Sequence, residues 1–224
     1  RIKDKQVDCA LLAGGEALDP FVGRLKEGLP VDWEDNPGGN PEVIGKSTDG
    51  TNDHEKLHGI FDPSSVYPLF ANAIRGNKGQ SLEEHMQDTG ELFSRFSEVA
   101  SKNKNAWFPI YRSAEEIAEV KPENRMIGLP YTKYMNSIMR VNQSSAIIVM
   151  SAKKARELGI PESKWIFMYS GACLNDVWNV SNRADYYSSP AIKSCTDSVF
   201  DLANVSISEM DFIDLYSCFP SAVQ

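Results

Sequence analysis

Asn142-Gln143-Ser144-Ser145-Ala146-Ile147-Ile148-Val149-Met150-Ser151 is the stretch on which the reading of the fold turns. The apolar run Ala146 to Met150 is too short for a free-standing helix and is bounded by serines, so Ser144 to Met150 predicts a buried strand. Ser151 then stands at the N-cap of a helix from Ala152 to Leu158, and Gly159 sits where a helix C-terminus wants a left-handed residue. Trp165 to Tyr169 predicts the next strand. Ser189-Pro190 opens a helix through about Ala203, and Asp211 to Tyr216 predicts a third strand. The strand 144–150 is expected beside one of the other two. Strand–helix–strand alternation implies a parallel or mixed sheet covered by helices, an α/β fold.

Upstream, Val7-Asp8-Cys9-Ala10-Leu11-Leu12-Ala13 reads as a buried parallel strand stopped by Gly14-Gly15. From about Asp32 to Asp53, Gly, Pro, Asn and Asp are dense and apolar periodicity is absent, which predicts an exposed connection. Helical spacing takes over next, in Leu69, Ala73 and Ile74, then Leu92, Phe93, Phe96 and Val99. Ser81-Leu82-Glu83-Glu84 is a capping-box start for a helix to about Lys102, and Ser113-Ala114-Glu115-Glu116 starts another that ends before Pro122. Ser64 to Pro130 is therefore expected to be mainly helical.

With 42% hydrophobic and 24% charged residues in 224, the composition is that of a folded globular protein and excludes disorder. The longest apolar runs are strand-sized, so no membrane-spanning helix is expected. A net charge of −8 disfavours nucleic acid and anionic lipid surfaces as partners. Cys9, Cys173, Cys195 and Cys218 lie far apart without a C-x-x-C pair, which argues against a zinc site or a disulfide framework. Reduced, mostly buried thiols in a cytosol-like compartment are expected. Arg1 to Gln6 are charged and carry no apolar signal core. The last predicted strand is followed by only eight residues, so the chain reads as a segment of a longer protein.

Several strings resemble the thiolase superfamily, in its sterol carrier protein x-like branch. Val7 to Ala17 resembles the strand and Gly-Gly turn of the thiolase N-terminal half, and Asn142 to Ser151 the N-D-G-A-A-A strand that begins the C-terminal half. Leu82 through Ser97 to Trp107-Phe108, Ser113 to Ile117, and Leu129 to Lys133 are similar to the loop domain of that branch. Asp214-Leu215-Tyr216-Ser217-Cys218-Phe219 falls where the branch carries H-D-C-F and ordinary thiolases carry N-E-A-F.

The resemblance implies part of a five-layered αβαβα fold with an inserted helical loop domain. In that frame residues 1–60 end the N-terminal half and its connection, 61–135 form the loop domain, and 136–224 begin the C-terminal half. It implies a thiolase-like acyl-CoA acyltransferase of the acetyl-CoA acetyltransferase type, making or breaking a carbon–carbon bond on CoA thioesters. Such chemistry needs a cysteine nucleophile, a base to activate it, a second acid/base and oxyanion donors. The nucleophile would lie upstream of this segment, and none of the four cysteines takes its place by position. Tyr216 is the implied catalytic position, replacing the His or Asn that orients a water there. Cys218, Phe219 and Met139 are implied to line the substrate pocket, Met139 standing where thiolases place a small serine. Arg125, Lys133 and Arg140 are candidates for the adenosine phosphates of coenzyme A.

No covalently bound cofactor is implied, coenzyme A or acyl-CoA being substrate, and the partners implied are acyl-CoA and a second copy in a homodimer or larger homo-oligomer. The expected location is the cytoplasm, or the peroxisome in a eukaryote. Two alternatives stay open. One is a thiolase-like protein that binds CoA esters without thiolysis; the other is a retro-aldol lyase working with a small partner subunit. No metal site is expected. His54, His58 and His85 read as surface histidines. Asp49, Asp53 and Glu55 lack calcium-loop spacing, and Gly14-Gly15 is too short for a phosphate loop.

Overall fold

A computed structural model describes residues 1–31, 38–45 and 49–224. In chain order the elements are β1 (Cys9–Ala17), α1 (Leu18–Lys26), α2 (Asp53–Leu57), α3 (Pro63–Asn77), α4 (Leu82–Ser101), α5 (Ala114–Ala118), β2 (Met126–Gly128), β3 (Tyr131–Thr132), β4 (Asn142–Met150), α6 (Ala152–Glu157) and α7 (Pro190–Ala203). Within the expected connection, residues 38–44 are exposed and irregular, while 32–37 and 46–48 lie outside the described residues. Two compact units result: residues 1–43 with 138–168, and residues 44–137 with 169–224.

The first unit is built on a ribbon. β1 and β4 pair antiparallel from Cys9 opposite Met150 to Ala17 opposite Asn142. Gly14 and Gly15 do not stop the strand; they continue the ladder opposite Ser145 and Ser144. A glycine in a strand sacrifices packing but keeps both backbone hydrogen-bonding groups, so a paired partner carries it through. The pairing corrects the expectation of a parallel sheet and the expected neighbour of residues 144–150. The strands are also not buried. Opposed residues share a face, so Leu11 and Ile148 lie on one side and Leu12 and Ile147 on the other, and these four are 54–67% exposed.

Around the ribbon, the local signals work as expected. Ser151 Oγ accepts from the Lys154 amide at 3.1 Å to start α6, and Gly159 closes it at φ +67°. Asp19, in the first turn of α1, pairs with Arg140 at 3.1 Å. Residues 165–169 are not a strand. Ile166 is 95% exposed, and no neighbouring strand among the described residues supplies the ladder that extended backbone needs.

The second unit is mainly helical between Ser64 and Pro130, and its helix starts follow from caps. Asp62 accepts from the Ser64 and Ser65 amides ahead of α3, with Pro63 at the first helical position. Ser81 and Glu84 form a reciprocal capping box at α4, with bonds of 3.1 and 2.7 Å. Ser113 caps α5 and Ser189 caps α7. A Cβ on Gly90 would stand 2.6 Å from the Ala114 carbonyl oxygen, so the close approach of α4 to the start of α5 requires glycine.

Asn124, fully buried, ties the end of α5 to the following hairpin. Its amide donates to the carbonyls of Glu116, Ile117 and Glu119 at 3.1, 3.0 and 2.8 Å, and its Oδ1 accepts from the Tyr134 amide at 2.8 Å. β2 and β3 pair antiparallel beside a cis Leu129–Pro130 bond. The core gathers Ala71, Ile117, Tyr131, Met135 and Phe219. Asp211–Tyr216, expected as a strand, is irregular and unpaired, with Phe212 94% exposed. Among the described residues, no helix is long and apolar enough to cross a membrane, and no group of three His, Cys, Asp or Glu is placed to hold a metal ion.

Candidate functional site

Phe219 is the anchor of the site. Its ring is buried, stacks on Tyr67 with centroids 4.5 Å apart and planes 6° from parallel, and meets Tyr131 at 5.4 Å. The backbone just before it is held as well. The Ser137 amide donates to the Cys218 carbonyl at 3.0 Å, and the Ser217 hydroxyl donates to the Phe219 carbonyl. Seating Phe219 fixes the stretch from which Cys218 and Tyr216 project. The Cys218 thiol donates to the Tyr216 phenol oxygen at 3.3 Å, while Tyr216 itself is 88% exposed.

Three phenols surround this cysteine environment. Tyr216 is shifted upward, first through its hydrogen bond and then through its electrostatic interaction with Cys218. Burial raises Tyr67, with Cys218 adding to it. Burial also raises Tyr131; Ser221 opposes that shift, although the buried Tyr131 hydroxyl closes no hydrogen bond of good geometry. All three therefore stay protonated at neutral pH. A protonated phenol can donate a hydrogen bond to an oxygen on which negative charge develops.

The remaining candidates divide between the units. Arg125 and Lys133 are brought together, the Lys133 amide donating to the Arg125 carbonyl at 3.0 Å, and both side chains are exposed. Met139, 76% exposed, and Arg140, paired with Asp19, belong to the first unit.

No family model matches the chain. An acetyl-CoA acetyltransferase from Methanocaldococcus jannaschii is 24% identical over 165 residues, covering 74% of this chain and 39% of that protein. The crystal structure of a monomeric SCP2-thiolase-like protein type 1 from Mycobacterium smegmatis matches over 98% of this chain and 40% of its own, at 30% identity and a TM-score of 0.74. The fold is thiolase-like, of the SCP2 type. The chain thus spans about two fifths of the length of these two relatives.

Within the thiolase-like fold, several expectations about side chains need correction. His85 is not a surface residue but 1% exposed, its Nδ1 3.4 Å from Gln80 Oε1 and its Nε2 without a partner. Burial, helped by Lys78 and Arg75, holds its pKa below the ordinary value. The first turn of α4 faces the end of α3, and the helix start alone did not reveal that neighbour. His54 and His58 are exposed, as expected. Glu55 is buried, accepting from the Ser181 and Asn52 amides at 2.7 and 2.8 Å, so it caps α2 and binds the chain at 181. The thiols are less buried than expected. Cys9 and Cys173 are exposed and Cys195 and Cys218 half-buried, all four free.

Tyr67 and Tyr131 were not singled out from the sequence of this thiolase-like chain. One signal pointed to the first. Tyr67, Phe70, Ala71 and Ile74 recur at helical spacing, marking one face of α3 that needs a partner.

Proposed function

We propose that this chain is part of a thiolase-like acyl-CoA acyltransferase that binds a CoA thioester with its carbonyl oxygen at the Tyr216 phenol. The observation that supports the reading is the Tyr216–Cys218 pair, held beside buried Phe219 in the stretch that resembles the family's H-D-C-F motif. Acyl transfer through a cysteine thioester, and carbon–carbon bond formation or cleavage next to it, builds negative charge on that oxygen. The phenol, which stays protonated, is the donor, and Cys218 sits beside it. Cys218 and Phe219 line the pocket on this side. Arg125 and Lys133 are the exposed pair assigned to the adenosine phosphates. Arg140, in the first unit, is paired with Asp19. Coenzyme A enters as part of the substrate, in a cytoplasmic or, in a eukaryote, peroxisomal protein. The resemblance implies a homodimer, whereas the similar Mycobacterium smegmatis protein is monomeric, and a mass measurement in solution distinguishes the two.

Incubating the full-length protein with acetyl-CoA should add one acetyl group that hydroxylamine removes, seen in the intact mass. Tyr216→Phe should lower turnover by on the order of 10²-fold with little change in CoA-ester affinity, because the lost hydrogen bond strengthens only as charge develops. Tyr216→His should keep more activity than Phe. Equal turnover in wild type, Phe and His would remove Tyr216 from the chemistry. The second reading, a protein that binds CoA esters without thiolysis, is favoured by a tyrosine in place of the His or Asn that orients a water in the resembling motif. It predicts acetyl-CoA binding with no adduct.

A further inference from the structure

We propose that Tyr67 is a positioning residue for the reaction: its ring, stacked on Phe219, sets the direction in which Cys218 and the Tyr216 phenol project. This deepens the CoA-ester reading above and rests on it. In this role Tyr67 acts through Phe219 and not on the substrate.

Phe219 is gripped from two elements. α3 brings Tyr67, 4.5 Å away and 6° from parallel, and β3 brings Tyr131, at 5.4 Å and 55°. The parallel stack sets the plane of the Phe219 ring. The two elements are also tied to each other. A Cβ on Gly128, at the end of β2, would stand 2.7 Å from the Ser64 carbonyl oxygen and 2.9 Å from Pro68 Cγ, so the backbone of the hairpin lies directly on α3. One turn further along the same helix, the Asn72 amide donates to the Leu129 carbonyl at 2.9 Å. Tyr67, next to Pro68, therefore stands in the turn of α3 that this contact holds.

Two points fix the stretch that carries the phenol. The first is main chain, the Ser137 amide donating to the Cys218 carbonyl at 3.0 Å. The second is the Phe219 ring. With both held, the Cys218 side chain has one direction, and its thiol meets the Tyr216 phenol oxygen at 3.3 Å. Tyr216 is 88% exposed, so packing adds little to hold its ring. Without the flat face of Tyr67, the stretch keeps the Ser137 bond and pivots about it, and the phenol loses its aim. A misplacement on the order of 1 Å at a reacting centre costs up to about 10²-fold in rate.

The test measures turnover and KM for acetyl-CoA in the full-length protein, for Tyr67→Leu and Tyr67→Phe, each made alone and together with Tyr216→Phe. Tyr67→Leu should lower turnover on the order of 10-fold, with KM changed less than about twofold. Tyr67→Phe keeps the ring face and should hold turnover within about threefold of wild type. In the Tyr216→Phe background, Tyr67→Leu should change turnover by less than about twofold, because no phenolic hydroxyl is left to aim. If Tyr67→Leu does not fold, Tyr67→Met, which fills the volume without a flat face, takes its place with the same pattern expected. An equal loss in both backgrounds marks a purely structural role and overturns the positioning. Unchanged turnover in Tyr67→Leu, or a Tyr67→Phe as slow as the Leu variant, overturns it too. A wild type without turnover, or a silent Tyr216→Phe, overturns the parent reading, and the positioning role falls with it.

Discussion

The helical segment of the second unit and the ribbon of the first treat their apolar residues in opposite ways. Between Ser64 and Pro130 the helices bury a face against the core, and Ala71 and Ile117 are at most 2% exposed. In the ribbon, Leu11, Leu12, Ile147 and Ile148 stay more than half exposed on both faces. A helix satisfies its backbone internally, and one apolar stripe needs one neighbour. A strand needs a partner along each edge and a layer on each face, so a two-stranded ribbon leaves both faces unserved. The practical lesson is that the helical segment is held by a packed core, while the faces of the ribbon stay exposed.

The largest effect that would break this contrast is expected at Asn124. Asn124→Ala removes a buried amide that serves three carbonyls and one amide, and should cost about 3 kcal/mol in chemical denaturation. A loss under 1 kcal/mol would mean that water replaces it and that the segment is looser than described. Gly90→Ala comes next, at about 2 kcal/mol, because its Cβ strikes a backbone carbonyl that cannot swing away. A neutral result there would show that α4 and α5 can separate.

His85 sharpens the same contrast through pH. Its folded pKa lies below the ordinary 6.5, so the unfolded chain takes up the proton first as pH falls. The stability tied to neutral His85 is present above about pH 6.5 and is lost as pH falls from there toward the lowered value. Melting temperatures followed from about pH 7.5 to 5.5 should decline in wild type, and the decline should shrink in His85→Gln. Parallel curves for the two proteins would count against the burial. The smallest effect belongs to the ribbon. Gly14→Ala meets no atom within 4 Å and should stay within about 0.5 kcal/mol of wild type. A large loss there would reveal a neighbour packed against the ribbon.

Much of the second unit was legible one helix at a time. Ser81, Ser113 and Ser189 each announced a start that the structure keeps, since a cap acts within four residues of its own position. Gly159 likewise marked the end of α6. Residues 165–169 and 211–216 were misread for a physical reason. Apolar, β-branched and aromatic character makes a segment fit for a strand, but a strand exists only where another chain segment offers the ladder. The site was legible in part. Tyr216, Cys218 and Phe219 were singled out through the resemblance of their motif, whereas Tyr67 and Tyr131, distant in sequence, join them only through folding.

By itself, then, the amino-acid order determined the helix boundaries, the helical character of Ser64 to Pro130, the α/β class and the thiolase-like motifs, because each rests on interactions between residues close in sequence. Tertiary structure alone decided which strands pair and in which direction, that His85 and Glu55 are buried, and that Tyr67 stacks on Phe219. Those outcomes depend on contacts between residues tens of positions apart, as between Glu55 and Ser181 or Cys9 and Met150. No local propensity encodes a contact of that kind, since its free energy appears only when both segments arrive together.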